Sequence, residues 1–263
     1  MAGQDYQLTD SITLHHPSVG EILKIDGSIT PDETYWMYVK ILMSDPYSNM
    51  VMLDDMGINY LDVTPYDVFV LQWDNFEKSY IENKELYEGT NITPLDSIKN
   101  ALHFFIKEQH DFIKAKYENG EICFYDINNS SCQINRTVYD YIYEWIKSIN
   151  RIDYSNRIKP ADENARRILI EDMRDEIKKA KRRKHKKKDD EDLDYLGSLM
   201  SAACFCGNSA ITPFNINDCK IYWLHESLSI SGKKEHANHL LDGLYHGTIS
   251  KKDINEKELD WVK

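Results

Sequence analysis

Apolar and polar positions change rhythm several times along the chain. "GEILKI" (20–25) alternates apolar and polar side chains, the period of a half-buried strand, and "DGS" reads as the turn after it. "ETYWMYVKILM" (33–43) is apolar on nearly all sides, a pattern open to helix or strand, with helix the preferred reading. Three helix starts follow: Asp45 with Pro46 next and Gly57 as stop, Thr64 with Pro65 and Asp67, and Thr93 with Pro94 and Asp96. Proline suits the first helical position because its missing N–H would be unpaired there, and an acid in the first turn favours the positive end of the helix dipole.

"DFIKAKYENGEICFYD" (111–126) places two alternating runs around Asn-Gly, which permits the positive φ of a tight turn, so a β-hairpin is predicted. In "RTVYDYIYEWIKSIN" (136–150), Val138, Ile142, Trp145 and Ile149 recur at helical intervals, widened by Tyr139 and Ile146 into one buried face. "RIDYSNRIKP" is a connecting segment. Residues 162–188 then read as one long charged helix, acidic first and basic last, with a narrow apolar stripe of Ile168, Leu169, Met173 and Ile177. An apolar helix resumes near Leu193, and "NINDCKIYWLHESLSI" and "KKEHANHLLDGLYHG" predict two more helices, with Gly247 as stop. The pattern predicts a mostly helical α+β protein: an α+β domain (1–150) with a small antiparallel hairpin, a charged connecting helix (151–192) and a small helical domain (193–263).

Charge changes that picture in one place. The chain carries 32 basic and 44 acidic side chains, a net −12, yet nine of the bases fall within 178–188. The rest, 23 bases against 44 acids, stands at −21, a body that repels nucleic acid at long range. The basic block contains no aromatic residue for stacking and no adjacent apolar face for a membrane surface, which favours a solvated spacer or a protein contact. A nucleic-acid-binding regulator using 178–188 is the alternative. No run approaches the ~18 apolar residues of a membrane span. The start of the chain has neither a basic n-region nor an apolar h-region, so a cytosolic chain is expected.

Candidate chemistry is sparse. Cys204 and Cys206 are one residue apart, too close for the usual zinc thiolate pair, and nothing fixes further ligands near His236 and His239. His15 and His16 are adjacent in an extended segment and point to opposite faces, so joint chelation is poor. There is no Gly-x-Ser-x-Gly elbow, no recognisable Cys–His pairing and no Gly-rich phosphate loop. Asp54 and Asp55, adjacent on a helix, make poor acid–base partners. No catalytic residue, cofactor or metal is expected. Met43, Met50, Met52 and Met56 cluster around one helix, as core filler or as an adaptable contact surface.

Several stretches resemble an accessory protein of tailed bacteriophages of Gram-positive hosts, found among the tail morphogenesis genes: "HHPSVGEILKI", "LDDMGINYLDVTPYDVFVLQ", "ENGEICFYD", "INRTVYDYIYEWIKSIN", "KKAKRRKHKKK" and "GLYHGTISKKDINEKELDWV". Such proteins are described as tail assembly chaperones or baseplate-associated proteins. The resemblance implies a non-enzymatic assembly protein of the infected host cytoplasm, or a structural component kept in the virion tail or baseplate. Its partners would be tail or baseplate proteins such as the tape measure protein. Lys181, Arg182, Arg183, Lys184, Lys186, Lys187 and Lys188 of the basic block, and Trp261 of the apolar tail, are the expected contact residues.

Overall fold

In a computed structural model, which describes residues 3–26, 30–87, 93–117, 120–155, 157–186, 195–205, 210–255 and 258–260, the chain is α+β and mostly helical. It forms two units, one of Gly3–His16 with Gly27–Asp192, the other of Pro17–Asp26 with Leu193–Lys263. The structural division differs from the linear one at two points: residues 17–26 group with the C-terminal part, and residues 151–192 group with the N-terminal part.

The first unit opens with a hairpin, β1 (Tyr6–Thr9) and β2 (Ile12–Leu14). The second unit supplies the next element, α1 (Val19–Ile22). The first unit continues with α2 (Pro31–Met43), α3 (Met50–Asp55), α4 (Pro65–Glu82), α5 (Lys84–Tyr87) and α6 (Pro94–Phe105). Strands β3 (Phe112–Lys116), β4 (Ile122–Asp126) and β5 (Asn129–Ile134) form an antiparallel sheet in that order, before α7 (Arg136–Ile149) and α8 (Glu163–Lys186). The predicted hairpin is β3–β4, pairing Phe112 with Asp126 through to Lys116 with Ile122. Gly120 at its turn takes φ +87°, and Glu118 and Asn119 lie outside the described residues.

The Thr-Pro starts behave as capping predicts. Thr64 Oγ1 accepts from Asp67 N–H while the Asp67 carboxylate accepts from Thr64 N–H at 2.9 Å, a reciprocal capping box on α4. Asp96 closes the same kind of box on α6. These helices and α7 converge on an aromatic core in which Phe124 of β4 lies 4.7 Å from Trp73 and 5.1 Å from Phe69, ring centroid to centroid. The core tyrosines satisfy their hydroxyls on loop and backbone acceptors: Tyr35 donates to Asn150 Oδ1 and Tyr139 to the Leu42 carbonyl, both at 2.7 Å.

The long charged helix buries a face that its expected stripe describes only in part: Leu169 and Met173 lie on it, Ile168 and Ile177 do not. Ile168 is 57% exposed, whereas Ile170 is 2% exposed in a cluster with Met50, Leu53, Tyr60 and Val68. Arg166, Leu169, Ile170, Met173 and Arg174 are its less exposed positions, spaced as one helical face. Arg174 bridges Asp54 (3.2 Å) and Asp55 (2.8 Å) at the end of α3. The first half of α8 is therefore a packed element of its unit.

The second unit holds α1, α9 (Tyr195–Phe205), a 3-10 turn (Ile216–Asp218), α10 (Ile221–Tyr245) and a short turn at Lys251–Asp253. The strand predicted at 20–25 is instead α1. Ser18 and Glu21 form a capping box, and this Ser-x-x-Glu spacing outweighs a short apolar alternation. Val19 N–H donates to the Cys219 carbonyl at 2.9 Å, and a Cβ on Gly20 would lie 2.8 Å from the Asn217 carbonyl oxygen, so only glycine fits there. The two helices predicted at 215–247 are largely one: α10 runs 25 residues straight through Gly232 and ends before Gly247 (φ +68°). One interior glycine costs a helix only about 1 kcal/mol, and no proline interrupts it.

Candidate functional site

A half-open, mostly apolar concavity of the first unit grows from a sharp corner after α2. Ser44 takes a left-handed conformation (φ 40°), donates its N–H to the Lys40 carbonyl and its Oγ–H to the Ile41 carbonyl at 2.6 Å. That turn buries Asp45, 4% exposed, whose Oδ2 accepts from Ser48 N–H (2.8 Å) and Ser48 Oγ (2.6 Å). Asp45 thus caps the turn leading into α3, whose regular part begins only at Met50. From the segment after α7, Arg157 meets Asp45 with both terminal nitrogens, at 2.7 and 2.5 Å. Its guanidinium lies 3.3 Å from the ring centre of Tyr154 and 5.1 Å from that of Tyr47. Burial, with the nearby Asp45 carboxylate, pushes the Tyr154 hydroxyl above its ordinary range.

This clamp holds Ile152 and Tyr154 as one wall of a half-open cavity of about 490 Å³. Trp36, Met43, Met52 and Phe76 supply the other apolar walls, with Lys40, Asn49, Gln72 and Asn75 among them. The volume suits a drug-sized ligand or a few large side chains. The four methionines divide accordingly: Met43 and Met50 are buried, Met43 and Met52 line the cavity, and Met56 is exposed.

A second constellation escaped the sequence reading. His110 Nδ1 lies 3.1 Å from Asp126 Oδ2, and Cys132 Sγ lies 3.5 Å from His110 Nε2. The order resembles a Cys–His–Asp catalytic set, but the same Nε2 sits 2.7 Å from the Ser11 carbonyl oxygen. Burial, reinforced by Asp126, pushes the 1%-exposed Cys132 thiol up to about 11, which disfavours the nucleophilic thiolate. The cluster ties the β1–β2 turn to the sheet. Its members are spread over 121 positions of sequence from Ser11 to Cys132, so no local spacing announces it.

A third feature is electrostatic. Asp5 accepts from His16 N–H at 2.8 Å, contacts His15 Nδ1 at 3.0 Å and pairs with Lys107 at 2.7 Å, whereas His16 is buried with its ring edge towards Trp145. Burial alone would raise the Asp5 carboxyl; Lys107, the His16 N–H and His15 outweigh it and bring it from 3.8 to about 2. A lowered folded value stabilises the protein above the unfolded one, so this contribution is complete above pH 3.8 and is lost as pH falls towards 2. Carbon-detected NMR titration is expected to give Asp5 a midpoint near 2. A midpoint at the ordinary carboxylate value would show that these contacts do not act on it.

Of the residues expected to contact partners, Lys181 and Arg182 are exposed on α8, and Arg183, Lys184 and Lys186 lie on the same helix. Lys187, Lys188 and Trp261 lie outside the described residues. Lys181 and Arg182 do not line the cavity at Asp45. Cys206 also lies outside the described residues; among those described, no group of three His, Cys, Asp or Glu side chains is placed to hold a metal ion. Nor is any described helix long and apolar enough to cross a membrane.

Among known proteins, a family model described as the YomV second domain matches residues 185–263. That family is phage-derived and points to a phage protein. No curated protein and no solved structure matches the chain.

Proposed function

We propose that this protein works by holding another polypeptide during assembly of a phage tail or baseplate in the infected host, with no chemistry of its own. The observation that carries the reading is the cavity beside Asp45, walled by Trp36, Met43, Met52, Phe76, Ile152 and Tyr154. Trp36, Met43, Met52 and Phe76 stand on helices, Ile152 and Tyr154 on the segment that Arg157 clamps, and the two methionines have flexible thioethers that adapt to varied side chains. The phage-derived family of residues 185–263 supports the setting. The basic end of α8 supplies a separate, electrostatic contact.

Affinity-tagged protein recovered from infected cells is expected to carry a tail or baseplate polypeptide identifiable by mass spectrometry, and Met52→Arg, at the half-exposed cavity wall, is expected to release it. Retention of the same polypeptide by the variant would remove the cavity from the contact. Mass spectrometry of purified particles then separates a chaperone, absent or substoichiometric, from a virion component present in fixed copy number.

A further inference from the structure

Charge around the cavity selects among possible occupants. Asp45 is the carboxylate that lines it, and Arg157 and Ser48 engage both its oxygens. Lys40, exposed at the last turn of α2, lines the same cavity and makes no ion pair among the described residues. Among the lining residues Lys40 is therefore the charge left without a counter-charge, in a chain whose net charge is −12. Asn75, half-buried on α4, also lines the cavity, and its carboxamide makes no hydrogen bond among the described residues. By contrast, Asn49 and Gln72 are tied to each other and to the Asp45 backbone.

We infer that the cavity takes the apolar face of an acidic amphipathic helix from a partner polypeptide. Two large apolar residues one helical turn apart fill the space between Trp36 and Phe76, a flanking carboxylate meets the Lys40 ammonium, and Asn75 bonds a polar group of the partner helix. The volume admits two such side chains, and neighbours three or four positions apart on a helix present them side by side. A basic helix would bring like charge to Lys40. The inference rests on the proposed polypeptide-holding role and adds the chemistry of the partner.

The test uses the full chain and three fluorescein-labelled 18-residue helical peptides with identical leucine and phenylalanine positions, flanked by glutamate, glutamine or lysine. Fluorescence anisotropy at about 0.15 M salt, where a Debye length of about 8 Å screens the acidic body, is expected to rank glutamate ahead of glutamine by about threefold, the scale of one rim-exposed ion pair, with lysine weakest. Raising the salt compresses the ranking. Lys40→Glu, a change at an exposed position, is expected to reverse it, and Met52→Arg to weaken all three peptides at least about tenfold, since an anchor pocket is lost. Equal binding of the three peptides, or a ranking untouched by Lys40→Glu, overturns the acidic selectivity while leaving the holding role intact. Failure of every peptide to bind overturns both. Binding unaffected by Met52→Arg, in a variant whose circular dichroism matches the parent, places the peptide elsewhere and overturns the inference.

Discussion

Phe124→Ala is expected to lower the stability of the first unit by about 3–5 kcal/mol, the scale for deleting a buried aromatic ring. Phe124 is 0% exposed and touches the rings of Tyr66, Phe69 and Trp73, joining β4 to α4. Removing it takes away apolar burial and several ring contacts at once, and a central strand paired on both sides and a helix cannot both shift inward to close the gap. Urea unfolding followed by near-ultraviolet circular dichroism is the measurement. A loss of this size moves the midpoint down by roughly 1–2 M, given usual urea slopes. Phe214→Ala in the second unit, at a ring 98% exposed, is the control, with a change expected within about 0.5 kcal/mol. Equal midpoints for the two variants would refute the aromatic core as the anchor of the fold.

The second large effect is at the corner beside the cavity. Arg157→Ala leaves the Asp45 carboxylate buried without its cation. Breaking a buried pair this way costs about 3–5 kcal/mol, and the partial exposure of Arg157 and the two Ser48 contacts place this one nearer about 2–3. The same change removes the guanidinium stacked on Tyr154, so the Ile152–Tyr154 wall loses its tie as well. Asp45→Asn in the Arg157→Ala background should recover part of the loss, since no buried charge is then stranded. A double-mutant cycle on these two positions measures the coupling. A coupling near zero would mean that the segment after α7 is held by other contacts.

These two sites differ in how far the sequence announced them. The aromatic helices α4 and α7 were legible because their signals are local: a Thr-Pro-x-Asp start, and apolar side chains at helical spacing. The β3–β4 hairpin was legible for the same reason, through Asn-Gly between two alternating runs. The Asp45–Arg157 clamp was not, because its partners are 112 positions apart, Asp45 reading only as a helix cap and Arg157 as part of a connecting segment. The His110–Asp126–Cys132 cluster was hidden in the same way.

Errors of the local reading also have local causes. A six-residue alternation suggested a strand at 20–25, while Ser18 and Glu21 carried the stronger helix signal. Two helices were expected where α10 is one, because an exposed glycine such as Gly232 costs a 25-residue helix little. The stripe on α8 was drawn through Ile168 because composition alone does not say which arc of a mostly charged helix meets a neighbour. Packing against α3 chose the arc through Ile170 and Met173.

By itself the sequence determined where α4, α6 and α7 begin, the α+β class and the separation of a basic block from an acidic body. Each of those follows from interactions between residues a few positions apart. Only the tertiary structure decided which arc of α8 is buried, that residues 17–26 fold with the C-terminal unit, and that Lys40 and Asn75 border one apolar cavity closed by a distant arginine. Those depend on chain segments brought together across a hundred positions or more, where burial and charge pairing set the outcome and sequence spacing carries no record of it.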